Sequence, residues 1–177
     1  MPRGSNENTL TGGNLTNPLD RHIAAAVASK LETTPIEPGL HLVATPIGNL
    51  ADMTLRALAT LVRADIIACE DTRVTGKLKS AFCIATPLTP YHDHNADRAG
   101  PAIIERLKRG EIVALVSDAG TPLISDPGFR LVQAAIAAGI QVVSVPGPSA
   151  ALAALTASGL PTDRFLFAGF LPSREKA

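Results

Sequence analysis

The chain has no tryptophan, a single tyrosine and only two cysteines among its 177 residues. Cys69 and Cys83 belong to no C-x-x-C pair and to no cluster with histidine, so the sequence offers neither a disulfide framework nor the ligand spacing of a zinc site. Two unpaired thiols are typical of proteins in a reducing compartment. We therefore expect a cytoplasmic protein.

The chain also lacks net charge, because 16 Lys and Arg residues balance 16 Asp and Glu residues. Binding to nucleic acid is largely electrostatic, since cationic side chains replace the counterions around the phosphates. This chain alone is therefore not expected to be a strong nucleic-acid binder.

Three sequence patterns with a known meaning are missing. No run of about 18 apolar residues occurs, so we expect no membrane span, and the polar first twenty residues predict no secretory signal. Neither G-x-G-x-x-G nor G-x-x-x-x-G-K-[ST] appears, which argues against the usual dinucleotide and P-loop phosphate sites.

What the sequence does contain is a repeated pattern of a short apolar run, a loop rich in proline, glycine and small residues, and a helix-forming segment. The pattern occurs at 42–50, 112–128 and 142–150. Strands separated by helices imply right-handed crossovers and a parallel sheet, here with α/β/α layers. Ligands of such sheets bind beyond the carboxyl ends of the strands, so we expect the three loops to form one cleft.

We expect three regions along the chain. Residues 1–38 contain a weak helical patch at 21–31 and otherwise predict a mobile N-terminal tail that adds little to the core. Residues 39–160 predict one ligand-binding α/β domain. Residues 161–177 include the phenylalanine-rich run 163–172, which predicts a linker and the first strand of a second, truncated domain.

Three charged residues, Glu70, Asp71 and Arg73, follow the second predicted strand, at 65–69. An apolar strand gives no reason to expect charges at its end, so we regard these residues as candidates for catalysis or substrate positioning. The structural alternative is that Asp71 caps the next helix while Arg73 pairs with Glu70.

Other polar residues admit more than one interpretation. His92 and His94 are candidate substrate contacts; a solvated turn is the alternative, and two histidines without further ligands do not predict a metal site. Asp118 and Asp126 resemble a carboxylate pair for acid–base catalysis. We expect instead that they brace the loop and cap the following helix.

Five segments in this order resemble the ribosomal RNA small subunit methyltransferase I family, which is part of the tetrapyrrole-methylase superfamily. They are Val43–Leu50, Ala68–Arg73, Val116–Gly128, Pro146–Ala150 and Gly159–Pro172. Members of that family methylate a cytidine ribose 2′-hydroxyl in 16S ribosomal RNA with S-adenosylmethionine. The resemblance covers residues 40–177.

The resemblance implies a two-domain enzyme of the tetrapyrrole-methylase fold, of which this chain provides the N-terminal, cofactor-binding domain. It implies a homodimer that acts on small-subunit ribosomal RNA or the 30S particle and needs no metal. Matched to the family's motifs, the S-adenosylmethionine contacts would be Pro46, Ala119, Gly120, Thr121, Ile124, Ser149 and Ala150.

Two other functions remain open. One is a tetrapyrrole C-methyltransferase of the precorrin type, from the same superfamily. The other is a non-catalytic RNA-binding module associated with the ribosome. The Glu-Asp-Thr-Arg segment and the segment 119–128 favour the RNA branch over the tetrapyrrole branch.

Overall fold

The computed structural model describes residues 17–170, in which five strands form one sheet. The strands are β1 (Gly39–Val43), β2 (Ile66–Cys69), β3 (Leu88–Pro90), β4 (Ile112–Val116) and β5 (Val142–Val145). Their order across the sheet is β3-β2-β4-β1-β5, and every neighbouring pair is parallel. The predicted parallel sheet is therefore confirmed.

In the described part of the chain, six α-helices accompany the sheet: α1 (Pro18–Thr33), α2 (Leu55–Arg63), α3 (Thr72–Ala81), α4 (Ala96–Lys108), α5 (Phe129–Ala137) and α6 (Ala150–Ala157). A 3-10 turn, Leu50–Asp52, precedes α2. None of the helices in residues 17–170 combines the length and the apolar character that crossing a bilayer requires.

The sheet has a hydrophobic cluster on each face, as side chains alternate along a strand. From β4, Val113 and Leu115 pack in one cluster with residues of α4 and α5. Ala114 and Val116 pack in the other cluster, with Ala57 and Leu61 of α2 and the partly buried Leu78 of α3. The architecture is thus the α/β/α sandwich that the sequence predicts.

Two helix starts show what the local sequence contributes. The Thr54 side chain accepts a hydrogen bond from the Ala57 amide at 3.1 Å, and α2 begins after it. The Asp71 carboxylate accepts one from the Arg73 amide at 2.8 Å at the start of α3. The prediction that Asp126 caps α5 is wrong, because the N-cap position is Gly128 and no side chain caps that helix.

The segment before β1 contains more helix than the sequence suggests. Helix α1 spans 16 residues, none of them buried, so it adds little to the core, as expected. It lies against α2, where Arg63 Nη2 donates hydrogen bonds to the carbonyls of Leu31 (2.9 Å) and Thr34 (2.6 Å). Residues 1–16 of the predicted tail lie outside the described residues.

The strand predicted over 163–172 is not formed in its described part, 163–170. Phe165, Leu166 and Phe170 are 57%, 88% and 82% exposed. A strand is stable only when its backbone groups pair with a neighbour, and no strand of this sheet lies beside the segment. The expected partner of this strand belongs to a second domain, so the strand stays a prediction.

Candidate functional site

The three proline- and glycine-containing loops meet at the carboxyl ends of the strands, as predicted. Thr45 and Gly120 form an isolated antiparallel bridge between the first and second loops. Thr121 Oγ1 donates a hydrogen bond to the Pro148 carbonyl at 3.3 Å, which joins the second loop to the third. Strands β4, β1 and β5 are neighbours in the sheet, so their loops emerge side by side.

Two glycines allow these loops to approach closely. Gly120 has φ +81°, and a Cβ added there would lie 3.3 Å from Ile47 Cγ2. A Cβ at Gly147 would lie 3.0 Å from Ala44 Cβ. A side chain at either position would require the neighbouring atom to shift by a few tenths of an ångström.

The second loop also contains two non-glycine residues in the left-handed region, Leu123 with φ 71° and Ser125 with φ 60°. Such conformations cost on the order of 1–3 kcal/mol each and are concentrated at ligand sites. The start of the loop is fixed by Thr45 Oγ1, which donates to the Ser117 carbonyl at 3.4 Å.

A cavity of about 490 Å³, here called the loop cavity, opens between the second and third loops. Six of the seven residues that the family resemblance marks as cofactor contacts line it: Ala119, Gly120, Thr121, Ile124, Ser149 and Ala150. The seventh, Pro46, lines a neighbouring cavity of about 250 Å³ between the first loop and α3. Its neighbour Ile47 lines the loop cavity instead.

A second cavity of about 430 Å³, here called the strand-end cavity, lies beyond the ends of β2 and β3. All five residues singled out as catalytic or substrate-binding candidates line it: Glu70, Asp71, Arg73, His92 and His94. Sequence positions 70–73 and 92–94 meet here because β2 and β3 are parallel neighbours.

Asp71 and Arg73 form an ion pair with each other, with 2.6 Å between Asp71 Oδ2 and Arg73 Nη2. Hydrogen bonds from the Arg73 side chain and backbone lower the pKa of Asp71 to about 2. The alternative that Asp71 caps α3 is thus correct, whereas the pairing of Arg73 with Glu70 is wrong. The local turn at the helix start brings the Asp71 carboxylate to the guanidinium.

The environment of Glu70 favours the protonated, neutral form of its carboxyl group, unlike that of the adjacent Asp71. Partial burial raises the pKa of its carboxyl group, and the charges of Asp118, Asp126 and Asp93 raise it further, while His92 opposes them. The pKa of Asp126 is also raised by burial, against a hydrogen bond from Ser117. A carboxylate with a raised pKa is a stronger base, so Glu70 is the residue here best suited to accept a proton.

The histidine segment provides polar groups around the same cavity. The His92 amide donates to Asn95 Oδ1 at 2.9 Å, and Asn95 Nδ2 donates to the Pro90 carbonyl at 3.0 Å, which shapes the turn. The His92 and His94 rings are 6.0 Å apart. Within residues 17–170, His92 Nδ1 is buried without a hydrogen-bond partner.

The residue whose importance the sequence understates is Asp118, which lines the loop cavity, the strand-end cavity and the small cavity beside Pro46. Its Oδ1 accepts a hydrogen bond from the Asp71 amide at 3.2 Å, so the expected bracing role is confirmed. Its position just beyond the central strand β4 was the available sequence signal. No group of three or more His, Cys, Asp or Glu in the described part of the chain is arranged to hold a metal ion.

Comparison with protein families gives a match over residues 39–175, to the family described as tetrapyrrole (corrin/porphyrin) methylases. Among curated proteins, the chain is 65% identical over 144 residues to the Mesorhizobium japonicum "Ribosomal RNA small subunit methyltransferase I", covering 81% of this chain and 49% of that protein. The Halalkalibacterium halodurans protein of the same name is 58% identical over 137 residues, covering 77% of this chain and 47% of that protein. The chain thus spans about half the length of these relatives, whose name agrees with the resemblance found in the sequence.

Solved structures give the same fold. The uroporphyrin-III-C-methyltransferase from Thermus thermophilus matches with a TM-score of 0.54 and 28% identity, over 70% of this chain and 53% of that one. A cobalt precorrin-4 methyltransferase matches with a TM-score of 0.55 and 19% identity, over 67% of this chain and 49% of that one. At that lower identity the likeness concerns the fold alone.

Proposed function

Because the chain belongs to the tetrapyrrole (corrin/porphyrin) methylase family, we propose that it is the cofactor-binding part of an enzyme that methylates a cytidine ribose 2′-hydroxyl in 16S ribosomal RNA. The observation that carries this proposal is the 65% identity, over 144 residues, to a protein named ribosomal RNA small subunit methyltransferase I. The methyl donor would be S-adenosylmethionine.

The loop cavity has the properties that this cofactor requires. Its volume of about 490 Å³ is within the range of about 300–1,000 Å³ of small-molecule sites. Small residues and backbone line much of it, so Ala119, Gly120 and Ser149 leave room for the adenosyl group while loop amides can bind the carboxylate. Thr121, Ile124 and Ala150 would complete the contacts on this chain, with Pro46 at the adjoining cavity.

When bound, S-adenosylmethionine supplies an activated methyl group, which leaves placement of the ribose and removal of its proton to the protein. Glu70 would accept the proton of the 2′-hydroxyl on its carboxylate. The Asp71–Arg73 pair would hold the turn that carries Glu70, and the exposed Arg73 guanidinium could also meet a phosphate. His92 and His94, which also line the strand-end cavity, would contact the RNA.

The wider setting is part of the same proposal. The working enzyme would be a cytoplasmic homodimer that acts on the 30S particle without a metal. Residues 39–160 would form the cofactor-binding domain, and residues 161–177 the passage into a second domain. The exposed Phe165 and Phe170 would then be covered by that domain, because apolar side chains gain about 25 cal/mol per Å² when buried.

A tetrapyrrole C-methyltransferase is the second candidate function. It is favoured by the 28% identity to the Thermus thermophilus uroporphyrin-III-C-methyltransferase. The identity to the RNA methyltransferases is about twice as high and extends over a similar part of the chain. A non-catalytic RNA-binding module is the third, and it would lack methyl transfer altogether.

Methyl transfer from tritiated S-adenosylmethionine separates these functions. Because the chain spans 49% of the Mesorhizobium japonicum relative, the assay uses this chain alone and a chimera in which it continues into the C-terminal half of that relative. We expect the chimera to label unmodified 30S particles, with the label in a 2′-O-methylcytidine after nuclease digestion. Label in uroporphyrinogen but not in RNA would establish the second function, and binding of RNA without any label would establish the third.

A further inference from the structure

We propose that Asp118 is a positioning residue that fixes Glu70 relative to the loop cavity. It would do so by holding the peptide between Glu70 and Asp71 against the loop that binds the methyl donor. This inference rests on the proposed function, in which Glu70 accepts the proton and the loop cavity holds the cofactor.

The hydrogen bond that carries the inference connects residues 47 positions apart, since the Asp71 amide donates to Asp118 Oδ1 at 3.2 Å. The Asp71 carboxylate has different partners, since it accepts hydrogen bonds from the Arg73 amide and side chain. The amide of Asp71 is therefore the group that ties the start of α3 to the second loop.

The register of the sheet explains why a side chain makes this bond. Cys69 of β2 is paired with Val116 of β4, and this is the last pair of the ladder. Two residues further on, Asp71 and Asp118 face each other where the chains begin to separate. The Asp118 carboxylate oxygen spans the gap and accepts the hydrogen bond from the Asp71 amide. Within a sheet, a backbone carbonyl of the neighbouring strand would accept that bond.

Holding this amide orients Glu70. The Asp71 nitrogen and the Glu70 carbonyl belong to one planar peptide unit, so the bond to Asp118 restricts rotation of that unit as a whole. On the other side, the Cys69 carbonyl accepts a hydrogen bond from the Tyr91 amide at 2.8 Å. Glu70 is thus held between two fixed peptide units.

The same carboxylate also acts on Glu70 through its charge. The charged and titratable groups around Glu70 come from three segments. They are Asp118 and Asp126 from the second loop, Asp93, His92 and His94 from the turn after β3, and Asp71 and Arg73 from its own turn. Replacing Asp118 by Asn keeps an oxygen acceptor and removes the charge. Replacing it by Ala removes both, so the two variants separate position from charge.

The experiment compares Asp118→Asn and Asp118→Ala in the chimera with the unchanged chimera, using 30S particles as substrate. Asp97→Asn is the control, because Asp97 is 93% exposed and pairs only with Arg130 among the described residues. We expect Asp118→Ala to lower kcat by on the order of 100-fold, the effect of a misplaced catalytic group, with a much smaller change in KM for S-adenosylmethionine. Asp118→Asn should restore most of kcat and shift the acidic limb of the pH profile to lower pH, because Glu70 loses an anionic neighbour.

Hydrogen exchange at the Asp71 amide, measured by NMR on this chain, gives a readout that does not require activity. Exchange should be faster in Asp118→Ala than in Asp118→Asn or the unchanged chain. The proposal is overturned if kcat of Asp118→Ala equals that of the unchanged chimera, if Asp118→Asn loses as much kcat as Asp118→Ala, or if exchange at Asp71 is unaltered by the Ala substitution. If the unchanged chimera transfers no methyl group, the proposed function fails. The exchange result alone then shows whether Asp118 holds the Asp71 amide.

Discussion

Thr45 and Gly120 exchange two backbone hydrogen bonds, with 2.9 Å from Thr45 N to Gly120 O and 3.0 Å from Gly120 N to Thr45 O. The two residues lie outside the named strands, in loops that follow the neighbouring strands β1 and β4. The bridge fixes these two loops relative to each other. A site shaped in advance loses less conformational entropy when its ligand binds.

Gly120→Ala should therefore weaken S-adenosylmethionine binding. The new Cβ would lie 3.3 Å from Ile47 Cγ2, and φ +81° is a left-handed conformation that alanine adopts at a cost of about 1–2 kcal/mol. We expect Kd, measured by calorimetry on this chain, to rise about tenfold or more, because each 1.4 kcal/mol is tenfold.

Gly139→Ala is the matched control for that substitution. Gly139 has φ +70°, has open space where a Cβ would go, and lies at the end of α5, away from the cavities described above. The Gly139→Ala variant should lose a similar amount of stability and leave the Kd for S-adenosylmethionine unchanged. Equal effects of the two substitutions on Kd would contradict the assignment of the loop cavity to the cofactor.

Glu70→Gln should stabilise the fold at neutral pH. The pKa of Glu70 is raised in the folded protein, so between its unfolded value of 4.5 and the raised value the folded state holds a proton that the unfolded state releases. Raising the pH through this window therefore costs stability, and glutamine avoids that cost. Thermal unfolding should show a higher Tm for the variant at pH 7 and a converging Tm near pH 4.

Glu105→Gln provides a control of opposite sign for Glu70→Gln. The hydrogen bond from Lys108 lowers the pKa of Glu105, so its carboxylate contributes stability above pH 4.5 that is lost as the pH falls through the lowered value. The glutamine variant should be slightly less stable at pH 7. Destabilisation by both glutamine variants at pH 7 would contradict a raised pKa for Glu70.

Thr54→Ala should destabilise the domain by about 1 kcal/mol, because the Ala57 amide loses the side chain that caps α2. For a chain of this size we expect Tm to fall by about 2–4 °C. Thr54→Ser keeps the hydroxyl and should retain most of the stability. A serine variant as unstable as the alanine variant would indicate that packing of the threonine methyl group, not capping, is responsible.

Arg63→Ala should release α1 from α2. The two hydrogen bonds from Arg63 hold the end of α1, which has no buried residue to keep it in place. We expect hydrogen exchange over 18–33, followed by mass spectrometry, to accelerate about tenfold, as a loss of about 1.4 kcal/mol would produce. Arg56→Ala removes a bond from α2 to the Ser144 carbonyl instead, and it should leave exchange in α1 unchanged.

The meeting of the three loops could be predicted from the sequence because it follows from local patterns. Short apolar runs alternating with helices predict a parallel sheet, and in such a sheet the loops at the carboxyl ends share one edge. The pairing of Thr45 with Gly120 needs the strand order in addition, which no local pattern contains.

The errors arose where a distant residue or a local turn decides the outcome. Arg73 pairs with Asp71 because the first turn of α3 brings them together, although Glu70 is only one position further away in sequence. Asp126 does not cap α5 because Gly128, with φ 132°, takes the N-cap position.

The order of the strands also bears on how the chain folds during synthesis. Strand β1 is hydrogen-bonded to β4 and β5 and not to β2, with Leu40 opposite Val113 and Val142. The centre of the sheet therefore has to wait until the ribosome has delivered residues far along the chain, while β1 remains exposed with unpaired edges. Contacts between such distant residues slow folding, so we expect the centre of this sheet to form only after β4 and β5 have been synthesised.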